Sequence, residues 1–70
     1  MNINAPSLTV RFIKLPEVEK LVALKKSSIY ASVRSGTFPA PVRLSSRSVA
    51  WSSAAIDAWI AARIKASEEV

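Results

Sequence analysis

The chain has 70 residues, half of them hydrophobic, and its ten basic and five acidic side chains give a net charge of +5. This length allows one small domain with an apolar core, and the absence of cysteine and histidine excludes disulfides and the common zinc sites. No apolar run reaches the roughly 18 residues of a membrane-spanning helix, and the N-terminus lacks a secretory signal pattern. We therefore expect a cytoplasmic protein that makes no membrane contact.

Positive charge is concentrated in the middle of the chain. Residues 20–56 contain six basic side chains and no acidic one. Such a distribution is typical of a surface that binds a polyanion. The alternative is a basic surface that only keeps a small domain in solution.

The N-terminal region is predicted to be a leader followed by a short strand. Residues 1–9 carry no charge and include Pro6, which indicates a flexible leader. Residues 10–14 alternate between apolar and basic side chains, with Val10 and Phe12 on either side of Arg11, and this pattern predicts a short strand.

A first helix of about two turns is predicted next. Pro16 suits the first turn of a helix, because its missing N–H would have no partner there. Glu17 follows at the positive end of the helix dipole. Val18, Leu21 and Val22 have the i, i+3, i+4 spacing of an apolar helix face.

A tight turn at Ala23 and Leu24 then leads into a second helix. In this helix Ile29 and Val33 share one face, and Gly36, the only glycine of the chain, is placed to end it. The opposite face carries Ser27, Ala31 and Arg34, flanked by Ser28, Tyr30 and Ser35. Lys25 and Lys26 lie at the N-terminal end of the helix. Small residues permit a close approach, and hydroxyls and cations suit phosphates and base edges. The pattern predicts a helix-turn-helix that reads DNA.

A β-hairpin is predicted after Pro39 and Pro41. Val42 and Leu44 are expected to face inward, as are Val49 and Trp51 on the returning strand. The loop between the strands contains no glycine, so we expect a connection of four or five residues.

A hairpin beside a helix-turn-helix is a wing. Arg43 and Arg47 are then placed to reach phosphates or the minor groove. The alternative is an ordinary surface hairpin whose arginines have no DNA contact.

The C-terminal region is predicted to be an alanine-rich helix, capped by Ser52 or Ser53. Its apolar stripe follows the spacing i, i+3, i+4, i+8 and consists of Ile56, Trp59, Ile60 and Ile64. We assign Phe38 and Trp51 to the core together with Trp59.

Catalysis is poorly supported, and we predict that the protein is not an enzyme. Without histidine and cysteine no serine has an imidazole base, and a single glycine cannot form a glycine-rich phosphate loop. A chain of this size also has little room for a concave pocket. We expect no metal, no cofactor and no small-molecule substrate.

Five segments of the sequence, taken in order, carry a family resemblance. They are RFIKLPEV, LKKSSIY, SGTFPAPVRL, RSVAW and IDAWI, which begin at residues 11, 24, 35, 47 and 56. Together they resemble the AlpA-type prophage regulatory proteins, small proteins with a MerR-like winged helix-turn-helix fold that are related to excisionases. The motifs S-x-I-Y, G-x-F-P-x-P-V-x-L and R-x-V-x-W in this order are more specific than any one alone.

The predicted fold is α+β and mainly α. It is a winged helix-turn-helix with three short helices, a two-stranded β-hairpin wing and a short N-terminal strand. This domain spans residues 10–66, between the leader at 1–9 and a frayed tail at 67–70.

The resemblance implies a sequence-specific double-stranded DNA-binding protein of a prophage or integrative element, which regulates integrase or excision genes in the bacterial cytoplasm, on the nucleoid. One alternative is an excisionase, a recombination directionality factor that binds and bends attachment-site DNA. Another is a protein-interaction module that docks through the last helix and sequesters a regulator. Cooperative self-association on DNA is expected, because one small domain covers little DNA.

Eight side chains are predicted to contact DNA: Lys25, Lys26, Ser27, Ser28, Tyr30, Arg34, Arg43 and Arg47. The two lysines, Tyr30 and Arg43 are assigned to phosphates, and the two serines and Arg34 to base edges. Arg47 is assigned to the wing, in or near the minor groove. By position, the resemblance implies a wing arginine at Arg47. It also implies recognition-helix contacts at Lys26, Ser27, Ser28, Tyr30 and Arg34.

The chain departs from the family pattern in two places, one in the second helix and one at the wing tip. Ala31 stands where a basic residue is common, which removes one contact to a base or phosphate. Ser45 and Ser46 stand where the wing tip usually has glycine.

Overall fold

The computed structural model describes residues 10–68, so the predicted leader at 1–9 and the last two residues of the predicted tail lie outside the described residues. Its elements, in chain order, are β1 (Phe12–Ile13), α1 (Leu15–Val22), α2 (Lys26–Ser35), β2 (Val42–Ser45), β3 (Ser48–Ser52) and α3 (Ser53–Glu68). The strands form an antiparallel sheet in the order β1-β3-β2. Three helices and this small sheet make the predicted mainly α winged helix-turn-helix.

The helix-turn-helix is formed by α1 and α2. Pro16 lies in the first turn of α1, where no N–H is needed. The helix ends at Ala23, which has a left-handed φ of 60° and donates its N–H to the Glu19 carbonyl at 2.9 Å. α2 ends at Gly36 with φ of 82°. Both predicted ends are confirmed, although the first left-handed position is filled by alanine, for which that conformation is strained.

One apolar core joins the three helices to the sheet. Its buried side chains come from β1, the three helices, β3 and the segment between α2 and β2: Ile13, Val18, Ile29, Phe38, Trp51 and Ile56. Trp51 is fully buried, and its large ring dominates the area removed from water. The core assignment of Phe38 and Trp51 is confirmed, and Trp59 packs against the core while partly exposed.

Two indole N–H groups bind the segment between α2 and β2. Trp51 Nε1 donates to the Pro39 carbonyl and Trp59 Nε1 donates to the Thr37 carbonyl, each at 2.8 Å. The Phe38 ring lies edge-on to the Trp59 ring, with centroids 4.9 Å apart. The segment of residues 36–41 is thus bound from β3 and from α3.

The residue before β1 is joined to the first residue of α3 by two hydrogen bonds that are long-range in the sequence. The Arg11 N–H donates to Ser53 Oγ at 2.9 Å, and the Ser53 N–H donates to the Arg11 carbonyl at 2.8 Å. Of the two residues predicted to cap α3, Ser52 does so, because its Oγ accepts the Ala55 N–H at 3.4 Å. Its neighbour Ser53 binds Arg11, the residue before β1, instead.

Several predicted core positions are exposed. Because Val42 pairs with Ala50, it lies on the opposite sheet face from Trp51, since paired residues share a face and neighbours alternate. It is 42% exposed, and Leu44 is 45% exposed. The prediction that both face inward was wrong.

At the other edge of the sheet, the register of β1 also leaves an apolar side chain exposed. Ile13 pairs with Trp51 and is buried, whereas Phe12 pairs with Ser52 and is exposed. On α1, Leu21 is also exposed, so the inner face of this helix rests on Val18, with Val22 beside it.

The hairpin connection is shorter than predicted. Ser45 pairs with Ser48, so only Ser46 and Arg47 form the turn. Ala23 and Gly36 are the positive-φ residues of the described chain, so this turn does not use the mirror-image types that require positive φ. Instead the register shifts by one residue at Leu44. Such a bulge adds the twist that a glycine-free turn does not supply.

The last helix extends beyond the core. Ile56 is buried and Ile60 packs against the core, but Ile64 is 55% exposed, and residues 61–68 are all exposed. Helical geometry continues to Glu68, within the segment 67–70 assigned to a frayed tail. No helix within residues 10–68 has the length and apolar character needed to cross a membrane.

Candidate nucleic-acid interface

The orientation of α2 is set by its apolar seam. Ile29 is fully buried and Val33 packs against the core. The opposite face, which includes Ser27, Ala31 and Arg34, is exposed. The face predicted to read DNA therefore points to solvent, as its spacing requires.

Five of the predicted side chains surround one open depression on this face. It is lined by Lys25, Lys26, Ser27, Tyr30 and Arg34. The structure therefore brings together residues from the N-terminal end and the last turn of α2. Ser28, also exposed, lies on the same helix outside this lining.

Tyr30 is held differently from the other members of the depression. Its side chain is half-buried, and its ring centroid lies 6.0 Å from that of Trp51 at an interplanar angle of 58°. A ring packed in this way loses little further freedom when its hydroxyl binds a ligand. Tyr30 is a rigid polar group between the flexible cations.

The N-terminal end of α2 has no side-chain cap. Lys25 is the N-cap residue, in extended conformation, and makes no side-chain hydrogen bond to the first turn. The first N–H groups of a helix have no partner within it, and together with the helix dipole they favour an anion. Lys25 and Lys26 add two full charges there, and the first turn contains no acidic residue.

The wing arginines lie on the hairpin, outside the depression. Arg43 is on β2 and donates from Nη1 to the Ser46 carbonyl at 3.3 Å, so its side chain lies along the hairpin toward the turn. Arg47 is in the turn itself, and its backbone N–H donates to Ser45 Oγ at 3.4 Å. Both side chains are exposed.

The predicted cations are not neutralised by the protein within residues 10–68. The ion pair found there joins Arg11 Nη2 to Glu17 Oε2 at 3.1 Å, away from α2 and the wing. The five predicted lysines and arginines make no ion pair with a carboxylate in this part of the chain. Their charge is therefore free to act on a ligand.

Lys14 is a cation beside the wing that the sequence analysis did not assign. Its Nζ donates to Ser48 Oγ and, at 3.5 Å, to the Val49 carbonyl. These partners lie 34 and 35 positions along the chain. No local pattern could have indicated this contact, because it depends on the pairing of β1 with β3.

Comparison with known proteins identifies the family to which the chain belongs. Residues 11–64 match the profile of the family described as prophage CP4-57 regulatory protein (AlpA). The chain belongs to the AlpA family. This is a family of DNA-binding prophage regulatory proteins, not of enzymes, and the resemblance seen in the sequence is confirmed.

A relative of this AlpA chain occurs in a phage. The uncharacterized protein ORF88 of Enterobacteria phage P4 is 44% identical over 54 residues, which are 77% of the chain and 61% of that protein. The match therefore spans less than two thirds of the relative's length. No solved structure was found to match the chain.

Proposed function

We propose that this AlpA-family protein is a sequence-specific double-stranded DNA-binding regulator of integrase or excision genes in a prophage or integrative element. The observation that supports it most is the depression on α2, where five of the eight predicted side chains meet on one exposed face. A helix that presents small, hydroxyl and cationic groups in this way fits the major groove.

The two ends of the depression have different roles in this proposal. Lys25 and Lys26, beside the uncapped helix N-terminus, hold phosphates and set the register. Tyr30, packed against Trp51, donates its hydroxyl to another phosphate. Ser27 and Arg34, with Ser28 beside the depression, face base edges, where an arginine can bind guanine through two hydrogen bonds.

The wing contributes a second contact. Arg43 holds a phosphate, and Arg47 extends from the turn toward the minor groove, whose A·T-rich stretches are narrow and attract arginine. Lys14 joins this group because it lies against the first residues of β3. Contacts from both helix and wing limit the orientations that the protein can take on a duplex.

The proposal is tested by fluorescence anisotropy with labelled duplexes at two salt concentrations. One duplex comes from the attachment and integrase-promoter region of the source genome, and the control is its scrambled sequence. We expect salt-sensitive binding that prefers the native duplex by about ten-fold or more, which corresponds to about 1.4 kcal/mol.

A matched variant separates the interface from general charge. Lys65→Ala removes one positive charge from the far end of α3 and should bind as the parent protein does, whereas Lys26→Ala should bind every duplex less tightly. Equal affinity for native and scrambled duplexes would contradict sequence reading. No binding to either at low salt would contradict DNA binding altogether and favour the protein-partner alternative.

A further inference from the structure

The recognition helix and the wing are connected by residues 36–41. This segment begins at the left-handed Gly36 and contains Pro39 and Pro41. Two prolines restrict its backbone, but they do not determine where β2 starts relative to the end of α2. That relation matters under the proposed function, since Arg34 and Arg47 must reach the same duplex together.

Thr37 is bound tightly to the last turn of α2. Its N–H donates to the Ser32 carbonyl at 2.9 Å, and its Oγ1 lies 3.0 Å from Ser35 Oγ. Any group that holds Thr37 therefore holds the C-terminal end of the recognition helix.

Trp59 is that group. Its Nε1 donates to the Thr37 carbonyl at 2.8 Å, which connects α3 to the end of α2. The indole is itself fixed on two sides, by the edge-on Phe38 ring at 4.9 Å and by the Arg63 guanidinium, whose Cζ lies 5.1 Å from the ring centroid. Trp51 makes the corresponding bond from β3 to Pro39, two residues further along.

We propose that Trp59 is a positioning residue that holds the wing in register with the recognition helix, through its hydrogen bond to the Thr37 carbonyl. Trp51 fixes the far end of the linking segment to the wing, and Trp59 fixes the near end to α3. With both bonds in place, helix and wing move as one unit. This role rests on the proposed DNA-binding function, but its geometric part is measurable without DNA.

The first test measures distances within the free protein. The chain has no cysteine, so spin labels can be placed at Ala31→Cys on α2 and Ser46→Cys at the wing turn, both exposed positions. Pulsed electron resonance should give a narrow distance distribution in the parent chain. Trp59→Phe keeps an aromatic ring but removes the N–H donor, and we expect it to shift and broaden that distribution.

A second pair of spin labels is the control that would reveal a general loss of structure. Labels at Lys20→Cys and Ala31→Cys report on α1 against α2 and should be unchanged by Trp59→Phe. If the helix-to-wing distribution stays narrow, or if both pairs broaden together, the proposal is overturned.

The second test measures coupling in DNA binding. Arg47→Ala should weaken binding about ten-fold in the parent chain but less than about two-fold in the Trp59→Phe background, because a misplaced wing has little contact to lose. Lys25→Ala, on the helix alone, should have the same effect in both backgrounds. An unchanged Arg47→Ala effect would overturn the proposal. If the parent bound no duplex, the proposed function would fail, while the label distances would still decide the role of Trp59.

Discussion

Arg34 and Lys25 line the same depression from opposite ends of α2. Arg34 lies in the last turn, while Lys25 is the N-cap residue. If Arg34 binds base edges, Arg34→Ala should lose about 1–3 kcal/mol of discrimination between native and scrambled duplexes. Lys25→Ala should instead weaken binding to all duplexes alike and flatten the salt slope by about one unit. Equal losses on every sequence for both variants would contradict this division.

Ala23 offers a test of strain in a single residue. It holds a left-handed conformation with φ of 60°, which costs an L-residue about 1–2 kcal/mol and glycine almost nothing. Ala23→Gly should therefore raise the free energy of unfolding by about 1 kcal/mol, measured by urea denaturation. Part of the gain is lost because glycine gives the unfolded chain more freedom.

The matched control for Ala23 is Ala31→Gly. Ala31 is exposed within α2, and glycine there should lower the free energy of unfolding by about 1 kcal/mol. If both glycines destabilise the protein to the same extent, the turn conformation is not strained.

At the scale of the element, α3 divides into a packed half and a projecting half. Ile56 is fully buried, whereas Ile64 is 55% exposed. Ile56→Ala should lower the free energy of unfolding by about 2–5 kcal/mol, but Ile64→Ala by no more than about 0.5 kcal/mol. A large effect at Ile64 in dilute, monomeric protein would show that the projecting half is packed after all.

The helices were more predictable than the strands. Gly36, which ends α2 in a left-handed conformation, and the apolar face of Ile29 and Val33 are local signals. The C-terminal end and the orientation of α2 therefore follow from nearby residues. The strands depend on register. Adjacent apolar residues at Phe12 and Ile13 leave the inward face undetermined, and the pairing of Ile13 with Trp51 decides it.

The site residues were likewise predictable only where the signal is local in the sequence. The face of α2 was predictable because all its members lie within one helix. Their meeting around a single depression, and the contact of Lys14 with Ser48, required the folded chain. The two-residue turn was missed because the bulge at Leu44, which makes a glycine-free turn compatible with the strands, has no sequence signature of its own.

At the scale of the whole molecule, the proposed DNA-binding side is the one that carries the predicted lysines and arginines. If the predicted lysines and arginines, together with Lys14, neutralise about four to six phosphates, a plot of log K against log salt should have a slope of about −4 to −5. Anisotropy titrations at several salt concentrations would measure it. A slope near zero would mean that phosphate contacts contribute little to binding.

The size of the molecule favours more than one copy on DNA. The described part of the chain has extents of 40, 39 and 20 Å, and one turn of B-form DNA is about 34–36 Å long, so one copy faces about one turn. We expect several copies to bind adjacent turns cooperatively, with a stoichiometry above one on a regulatory region in sedimentation analysis. A single copy on the minimal functional site would contradict this.

The same complexes would separate the two genetic roles. Strong bending with cooperative filling of neighbouring sites would favour an excisionase, and promoter occupancy without bending would favour a transcription regulator. Both outcomes are readable from electrophoretic mobility of circularly permuted duplexes.

The backbone contacts between Arg11 and Ser53 have a consequence for synthesis on the ribosome. Arg11 and Ser53 are 42 positions apart, and β1, which directly follows Arg11, has nothing to pair with until β3 has been translated and has left the exit tunnel. The two helices of the turn motif depend on local contacts, which form faster than the long-range pairing of the sheet. The core is therefore completed only after β3 and α3 have left the tunnel, because Trp51 and Ile56 belong to it.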